Sequence, residues 1–301
     1  MMSEQERRGM ALTEGLLAIP VASQPQLDAR WLFWLRRVMR DLSPAFVLYG
    51  AFMAYRFWRP GYASEAGARH AADVVALQAT LGLDIDRGWQ EAALGWPFMI
   101  RAANWFYIVG WAPVLLAVAI FAFLRAPVVL ERWRAVLTLS ATATAIIQIA
   151  YPLTPPRLYE PYGMIDTLIR FGPTYYGTVG DRSGAINVYG AMPSMHVGWA
   201  LLAGLLLRAV LPGRPWVTAL SALYVIAMTW TVVVTGNHYL LDPIAGVIVI
   251  VACIGLGWLW NHWRITRIER AGSRGALDRT DRIGCIERLG RVVRHSDRLE
   301  A

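Results

Sequence analysis

Long uncharged stretches alternate with short clusters of arginine along most of this chain. Residues 102–124 and 135–156 carry no charged side chain. Residues 193–207 are apolar apart from His196, and 215–241 are uncharged with His238 near the far end. Residues 243–263 contain neither acid nor arginine and end in Trp258, Trp260 and Trp263. A hydrocarbon core about 30 Å thick needs about 20 helical residues. Each of these five runs therefore predicts a membrane helix, the 193–207 run reaching full length if Arg208 snorkels to the surface. A shorter run, 42–55 (LSPAFVLYGAFMAY), lies between Arg36, Arg37 and Arg40 on one side and Arg56 and Arg59 on the other. Snorkelling extends it to a sixth span. The expected fold is an all-α integral membrane protein with six transmembrane helices.

The arginines orient these helices. Clusters precede the first span, separate the second from the third (Arg125, Arg132, Arg134) and the fourth from the fifth (Arg208, Arg214), and fill the segment after the sixth. With all of them cytoplasmic, six spans alternate without conflict. The chain then divides into a cytoplasmic segment 1–41, a six-helix catalytic domain 42–263 and a basic cytoplasmic tail 264–301. Segments 60–100 and 154–192 face outward. The first carries an excess of acids, and the second balances arginines with acids. The first apolar run starts only at residue 42, too late for a secretory signal. Residues 65–94 read as outward-facing helix, broken at Gly82, with Ala72, Val75, Leu77, Leu81 and Leu83 as its apolar stripe. The tail alternates Ile and Leu with Arg, which suits either an amphipathic helix on anionic lipid or a solvated segment.

Composition agrees. Of 301 residues, 56% are hydrophobic and 17% charged, against roughly 25% charged in an ordinary soluble domain. That argues against disorder and against an ordinary soluble enzyme. Fourteen tryptophans and twelve tyrosines suit a protein with two membrane–water boundaries. The net charge of +8 comes from arginine without any lysine. A basic total raises nucleic acid as a partner, but here the arginines flank apolar runs and report topology instead. Cys253 and Cys285 are too few for a disulfide framework or a zinc cluster. Cys253, inside an apolar run, reads as a packing residue.

Ionisable groups within a membrane domain are expensive and mark function. Asp242 is the single carboxylate between Ser183 and Ile268. His238 stands four residues before it, in GNHYLLDPIAG, and i,i+4 positions share a helix face. A carboxylate there fixes the tautomer of the ring and leaves the other nitrogen as nucleophile. Because Asp242 precedes Pro243, the helix can also begin at Asp242, with His238 on the turn before it. His196, in YGAMPSMHVGWALL, follows Pro193 and Ser194, residues suited to a helix start. Backbone N–H groups at such a start face an anion, and a histidine one turn in can act as general acid. In YPLTPPRLYEP, Thr154-Pro155-Pro156 ends the third helix, and Arg157 follows at the outward boundary, where a guanidinium can grip phosphate oxygens. His262, beside Trp260 and Trp263, reads as interfacial. Topology puts His196, His238, Asp242 and Arg157 on one outward face. Two histidines and an arginine are the toolkit for phosphoryl transfer through a phosphohistidine, with no metal and no cofactor called for. A transporter would more often place charges near the bilayer midplane, and a scaffold would leave these residues structural.

These motifs resemble the type-2 phosphatidic acid phosphatase superfamily, which includes lipid phosphate phosphatases. PSMH at 193–196 is similar to its Pro-Ser-Gly-His motif, HYLLD at 238–242 to its closing His-x3-Asp, and TPPRL at 154–158 to the end of its first motif. The resemblance covers roughly residues 60–263. Met195 replaces the motif's glycine, Val232 stands where an arginine is usual, and the first motif's lysine is absent. Those departures look more like the inositol phosphorylceramide synthase and sphingomyelin synthase-like branch, whose members move a phospho-headgroup from a phospholipid to an acceptor hydroxyl. The resemblance implies His238 as nucleophile, Asp242 as its orienting partner, His196 as acid, and Arg157, with Ser194, as phosphate-binding residues. Arg170 or Arg182 are candidates for the second phosphate arginine. The function expected is transfer from a lipid-phosphate substrate to an alcohol, or to water in a phosphatase, by a multi-pass plasma-membrane enzyme with its site on the extracytoplasmic face. Membrane lipids are its expected surroundings.

Overall fold

The computed structural model of the chain describes residues 60–173 and 188–257, together with single positions among 32–55 and Leu259. The chain divides after Val47, and in its first part the described residues Leu32, Arg36, Met39, Ser43 and Val47 are helical. The remainder of this description concerns residues 48–301. The predicted tail, Arg182, His262 and Cys285 lie outside the described residues.

Among the described residues the protein is helical, with one isolated parallel bridge, Leu153 to Gly190, and no strand. Helix α1 is Pro60–Leu81 and α2 is Asp86–Leu94. Gly82, at φ +68, separates them at the predicted break, a conformation that glycine adopts without a Cβ penalty. Helix α3 is Pro97–Val109, α4 is Ala112–Arg125 and α5 is Pro127–Ala150. Two 3-10 turns, Pro156–Leu158 and Glu160–Tyr162, and the short α6, Thr167–Phe171, follow. Helix α7 is Met195–Val210, α8 is Pro215–Val234 and α9 is Leu241–Gly257.

By length and composition α5 and α8 can each cross a membrane, and α3 with α4 form one more candidate span, bent by 49°. Helices α7 and α9 are apolar but shorter. The described residues thus hold two or three of the six expected spans. The run 102–124 is not one helix. Pro113 has no N–H to donate to the Val109 carbonyl, and its ring crowds that carbonyl, so the helix stops at Val109 and restarts at Ala112. The run 215–241 also ends early, at Val234, where Gly236 takes φ +72 and the N–H groups of Asn237 and His238 both donate to the Val232 carbonyl. The run 135–156 stops at Ala150, before its prolines.

The expected stripe on α1 faces the wrong way. Ala71, Val74 and Gln78 are buried, whereas Ala72, Leu77 and Leu81 are exposed. The helix is rotated so that the Gln78 amide reaches a hydrogen-bond network in the interior, and burial of a polar group with partners outweighs the apolar pattern.

Helix α7 sits at the centre, packed on α8, α4 and α5. Glycines permit the closest approaches. A Cβ on Gly204 would stand 2.8 Å from that of Ser221 on α8, and one on Gly246 of α9 would stand 2.3 Å from the Ser194 carbonyl oxygen. Cys253 packs with Val136, Leu202 and Ile250, as its apolar setting in the sequence suggests. These contacts fix where the first turns of α7 and α9 meet, which is where His196 and Asp242 lie.

Candidate active site

His238 lies on the turn between α8 and α9, and Asp242 in the first turn of α9. Helix α9 thus begins one residue before Asp242, with His238 on the turn ahead of it, and the pair still meets. The Nδ1 atom of His238 is 2.8 Å from the Ala191 carbonyl oxygen and 3.2 Å from Asp242 Oδ2. A carbonyl only accepts, so Nδ1 carries the proton and donates to both, leaving the Nε2 lone pair unprotonated. Asp242 Oδ2 also accepts from the Tyr239 N–H at 3.0 Å. Both residues are almost wholly removed from solvent, His238 at 4% exposure and Asp242 at 0%.

His196 comes from the first turn of α7. Its ring stacks on Tyr107 of α3, with centroids 4.2 Å apart, and Trp111 tilts against it at 4.8 Å. It meets the His238 ring edge to face at 5.5 Å. Sequence reasoning missed Tyr107 and Trp111, because aromatic residues inside an uncharged run look like ordinary membrane-helix side chains. The two histidine-bearing elements are tied by backbone: the Ser194 N–H donates to the Asp242 carbonyl at 3.0 Å. Ser194 takes the N-cap position of α7, as expected, but its side chain does not cap the helix. Its Oγ is buried with no hydrogen-bond partner in the described structure, and so is Asp242 Oδ1. Met195, in the glycine position of the motif, turns away toward α5, where Thr144 Oγ1 donates to its sulfur at 2.8 Å.

Arg157 lies in the first 3-10 turn after α5. Its backbone N–H donates to the Gly236 carbonyl at 2.9 Å, its Nε to Asn237 Oδ1 at 3.0 Å, and one terminal nitrogen to Asp166 Oδ2 at 2.5 Å. Asn237 adjoins His238 in the chain, so the guanidinium is anchored beside the turn that carries His238. Asp166 and Asn237 were not foreseen: each is a polar loop residue without a pattern of its own. Arg170 is exposed and lies over the Phe171 ring, 5.5 Å from its centroid, so it does not join this cluster. Val232, in the place of the superfamily's second arginine, is fully buried among apolar neighbours. Among the described residues no group of three or more His, Cys, Asp and Glu side chains converges as an ion site would require.

The geometry brings together four of the five predicted residues through direct contacts: His238 with Asp242, Asp242 with Ser194, and His196 with His238. Arg157 joins through Asn237. A histidine with a pinned tautomer, a second histidine facing it and a buried arginine nearby can attack, protonate and charge-stabilise one phosphoryl group.

Comparison with known proteins gives the same direction. The chain is 28% identical, over 158 residues, to the inositol phosphorylceramide synthase catalytic subunit aur1 of Schizosaccharomyces pombe. That match takes in 47% of this chain and 36% of the yeast protein, so the chain spans little more than a third of that relative. No solved structure matches. The profile of the PAP2 superfamily matches residues 72–256, more than half of the chain, and includes every residue of the cluster just described: the chain belongs to the PAP2 superfamily.

Proposed function

We propose that this protein is a membrane phosphotransferase that moves a phosphate or phospho-headgroup from a lipid donor to an alcohol, through a phosphohistidine. The observation that carries the reading is the pinned His238 ring, with Nδ1–H committed to Ala191 and Asp242 and the His196 ring at 5.5 Å. In the first half-reaction His238 Nε2 attacks phosphorus, the donor's P–O bond breaks, and His196 gives its proton to the departing lipid oxygen. Asp242 stabilises the positive charge that develops on the His238 ring. In the second, His196 takes the proton of the acceptor hydroxyl as its oxygen attacks phosphorus. The P–N bond then breaks and His238 recovers its lone pair. Arg157 offsets the charge on the phosphoryl oxygens, and the unpartnered Ser194 Oγ stands ready to donate to one of them.

Superfamily membership fits a phosphatase equally well, since only the second half-reaction differs. The similarity to aur1 and the near-complete exclusion of His238 and Asp242 from solvent favour transfer, because a dry site limits attack by water. We place the site on the extracytoplasmic face of a plasma-membrane protein, with residues 1–41 and 264–301 in the cytoplasm, on the charge pattern of the loops. Purified protein offered phosphatidylinositol or phosphatidic acid, with and without a long-chain alcohol or ceramide, tests the reading by product mass. A phosphorylated acceptor is expected. Inorganic phosphate or free phospho-headgroup as the sole product, with acceptor present, would replace transferase by phosphatase. A 32P-labelled donor that never labels the enzyme would remove the phosphohistidine.

A further inference from the structure

Helices α1 and α2 carry no residue assigned above, yet they bury three polar side chains: Gln78, Asp86 and Gln90. All three reach into the segment that holds His238. Asp86 Oδ2 accepts from the Leu240 N–H at 3.1 Å, and Gln78 Oε1 accepts from the Leu241 N–H at 3.0 Å. These N–H groups belong to the first residue of α9 and the one before it, half-buried, where an α-helix has no partners of its own. They are capped by side chains more than a hundred residues away in sequence. On the other side of His238, Gln90 Nε2 donates to the Val234 carbonyl at 3.1 Å. The same amide fixes Ile165, donating to its carbonyl at 3.1 Å and accepting from its N–H at 2.9 Å. Asp86 and Gln90 are i,i+4 on α2, so one helix face holds the turn 234–241 at both ends.

The network is closed behind. Gln78 Nε2 donates to Asp86 Oδ2 at 2.9 Å, and the Tyr162 hydroxyl lies 3.2 Å from the same oxygen and 2.9 Å from Asp84 Oδ1. Asp86 Oδ1 has no hydrogen-bond partner in the described structure. Burial pushes the Asp86 carboxyl up to about 6, against the donors that favour its charge. A buried carboxylate with one bare oxygen costs stability. Apolar packing of the same volume would serve a purely structural helix better.

We propose that Gln78, Asp86 and Gln90 are positioning residues, a polar clamp through which α1 and α2 hold the His238 turn in its reactive geometry. The proposal rests on the reading of His238 as nucleophile for its consequence in catalysis, but not for the ordering of the turn. The turn between α8 and α9 holds Gly236, Asn237 and His238, whose own bonds run back to Val232 and across to Arg157, and no atom of the turn itself fixes the His238 ring. The clamp fixes the chain before and after it, so the ring meets Ala191 and Asp242 in one orientation.

Amide hydrogen exchange on the full-length protein in detergent, read on peptides covering 232–242, measures the ordering directly. Orthovanadate affinity, read by tryptophan fluorescence, measures the consequence, because a five-coordinate phosphorus mimic needs the aligned site. In Asp86→Ala, Leu240 should exchange about tenfold faster, and in Gln78→Ala, Leu241 likewise, the loss of one buried hydrogen bond in each case. Exchange over α7 and α8 should be unchanged. Vanadate should bind at least about tenfold more weakly in both. Asp86→Asn keeps an acceptor oxygen and should recover most of both signals. If Asp86→Ala fails to fold, Gln78→Ala and Asp86→Asn decide the matter alone. Unchanged exchange at Leu240 and Leu241 in folded variants would overturn the clamp, and so would faster exchange with undiminished vanadate binding. A parent protein that binds no vanadate would count against the functional reading, with the exchange result still deciding whether the clamp orders the turn.

Discussion

Gly246→Ala is the sharpest probe of how the two histidines are brought together. A Cβ at this position would lie 2.3 Å from the Ser194 carbonyl oxygen and 3.2 Å from its carbon. Non-bonded heavy atoms settle near 3.5 Å, so the shortfall is about 1 Å. Both partners are backbone, and no rotamer change can relieve the contact. The first turns of α7 and α9 must part, and with them the hydrogen bond from the Ser194 N–H to the Asp242 carbonyl. Overpacking of this kind costs about 1–3 kcal/mol, and the lost hydrogen bond adds about 1 kcal/mol. His196 rides on one of these turns and Asp242 on the other. A displacement of about 1 Å between reacting groups can cost about a hundredfold in rate. Turnover of a lipid-phosphate donor should therefore fall by about that factor, with a lower melting temperature. Gly255→Ala, on the same helix with nothing within 4 Å of its Cβ, is the matched control. It should keep full activity and gain up to about 1 kcal/mol from helix propensity. A folded Gly246→Ala protein with parental turnover would refute the idea that this glycine contact sets the distance between the histidines.

The two histidines should separate by substrate. His238→Ala should form no phosphoenzyme with any donor, while His196→Ala should recover a large part of a roughly 10²–10⁴-fold defect when the leaving group is an activated aryl oxide. A phosphoenzyme trapped in His238→Ala and absent from His196→Ala would exchange the roles. Arg157→Lys keeps charge but cannot hold Asn237 and Asp166 with one rigid fork, so KM for the phosphate ester should rise. An unchanged KM, measured at saturating acceptor, would take Arg157 out of phosphate binding. Asp86, raised to about 6 from an ordinary 3.8, binds its proton more tightly in the folded state than in the unfolded one. Its contribution to stability is then full below pH ~4 and lost as pH rises through 6. Asp84, Tyr162 and Asp242 face it as titratable neighbours, and Arg87 stands over the Tyr162 ring. Asp86→Asn should gain on the parent by up to about 3 kcal/mol between pH 4 and pH 8, in melts that run parallel if the carboxyl is not buried as described.

Much of this protein is legible without coordinates. Apolar runs fixed the helical character, because a charge inside such a run is too costly to be incidental. His238, Asp242, His196, Ser194 and Arg157 stood out for the same reason, each a polar residue at the edge of an apolar run. The breaks at Gly82 and before the prolines after Ala150 followed from local backbone chemistry. The break after Val109 was equally local, set by Pro113, although the uncharged run around it hid the stop. Other features depended on contacts between residues far apart in the chain. The face that α1 buries was chosen by Gln78, whose partners Asp86 and Leu241 lie on other elements. The proton on His238 Nδ1 was set as much by the Ala191 carbonyl, 47 residues away, as by the carboxylate four residues on. Periodicity reports how a segment divides between polar and apolar surroundings. It is silent on which buried N–H finds which oxygen, and in this protein that pairing decides how the His238 ring is held.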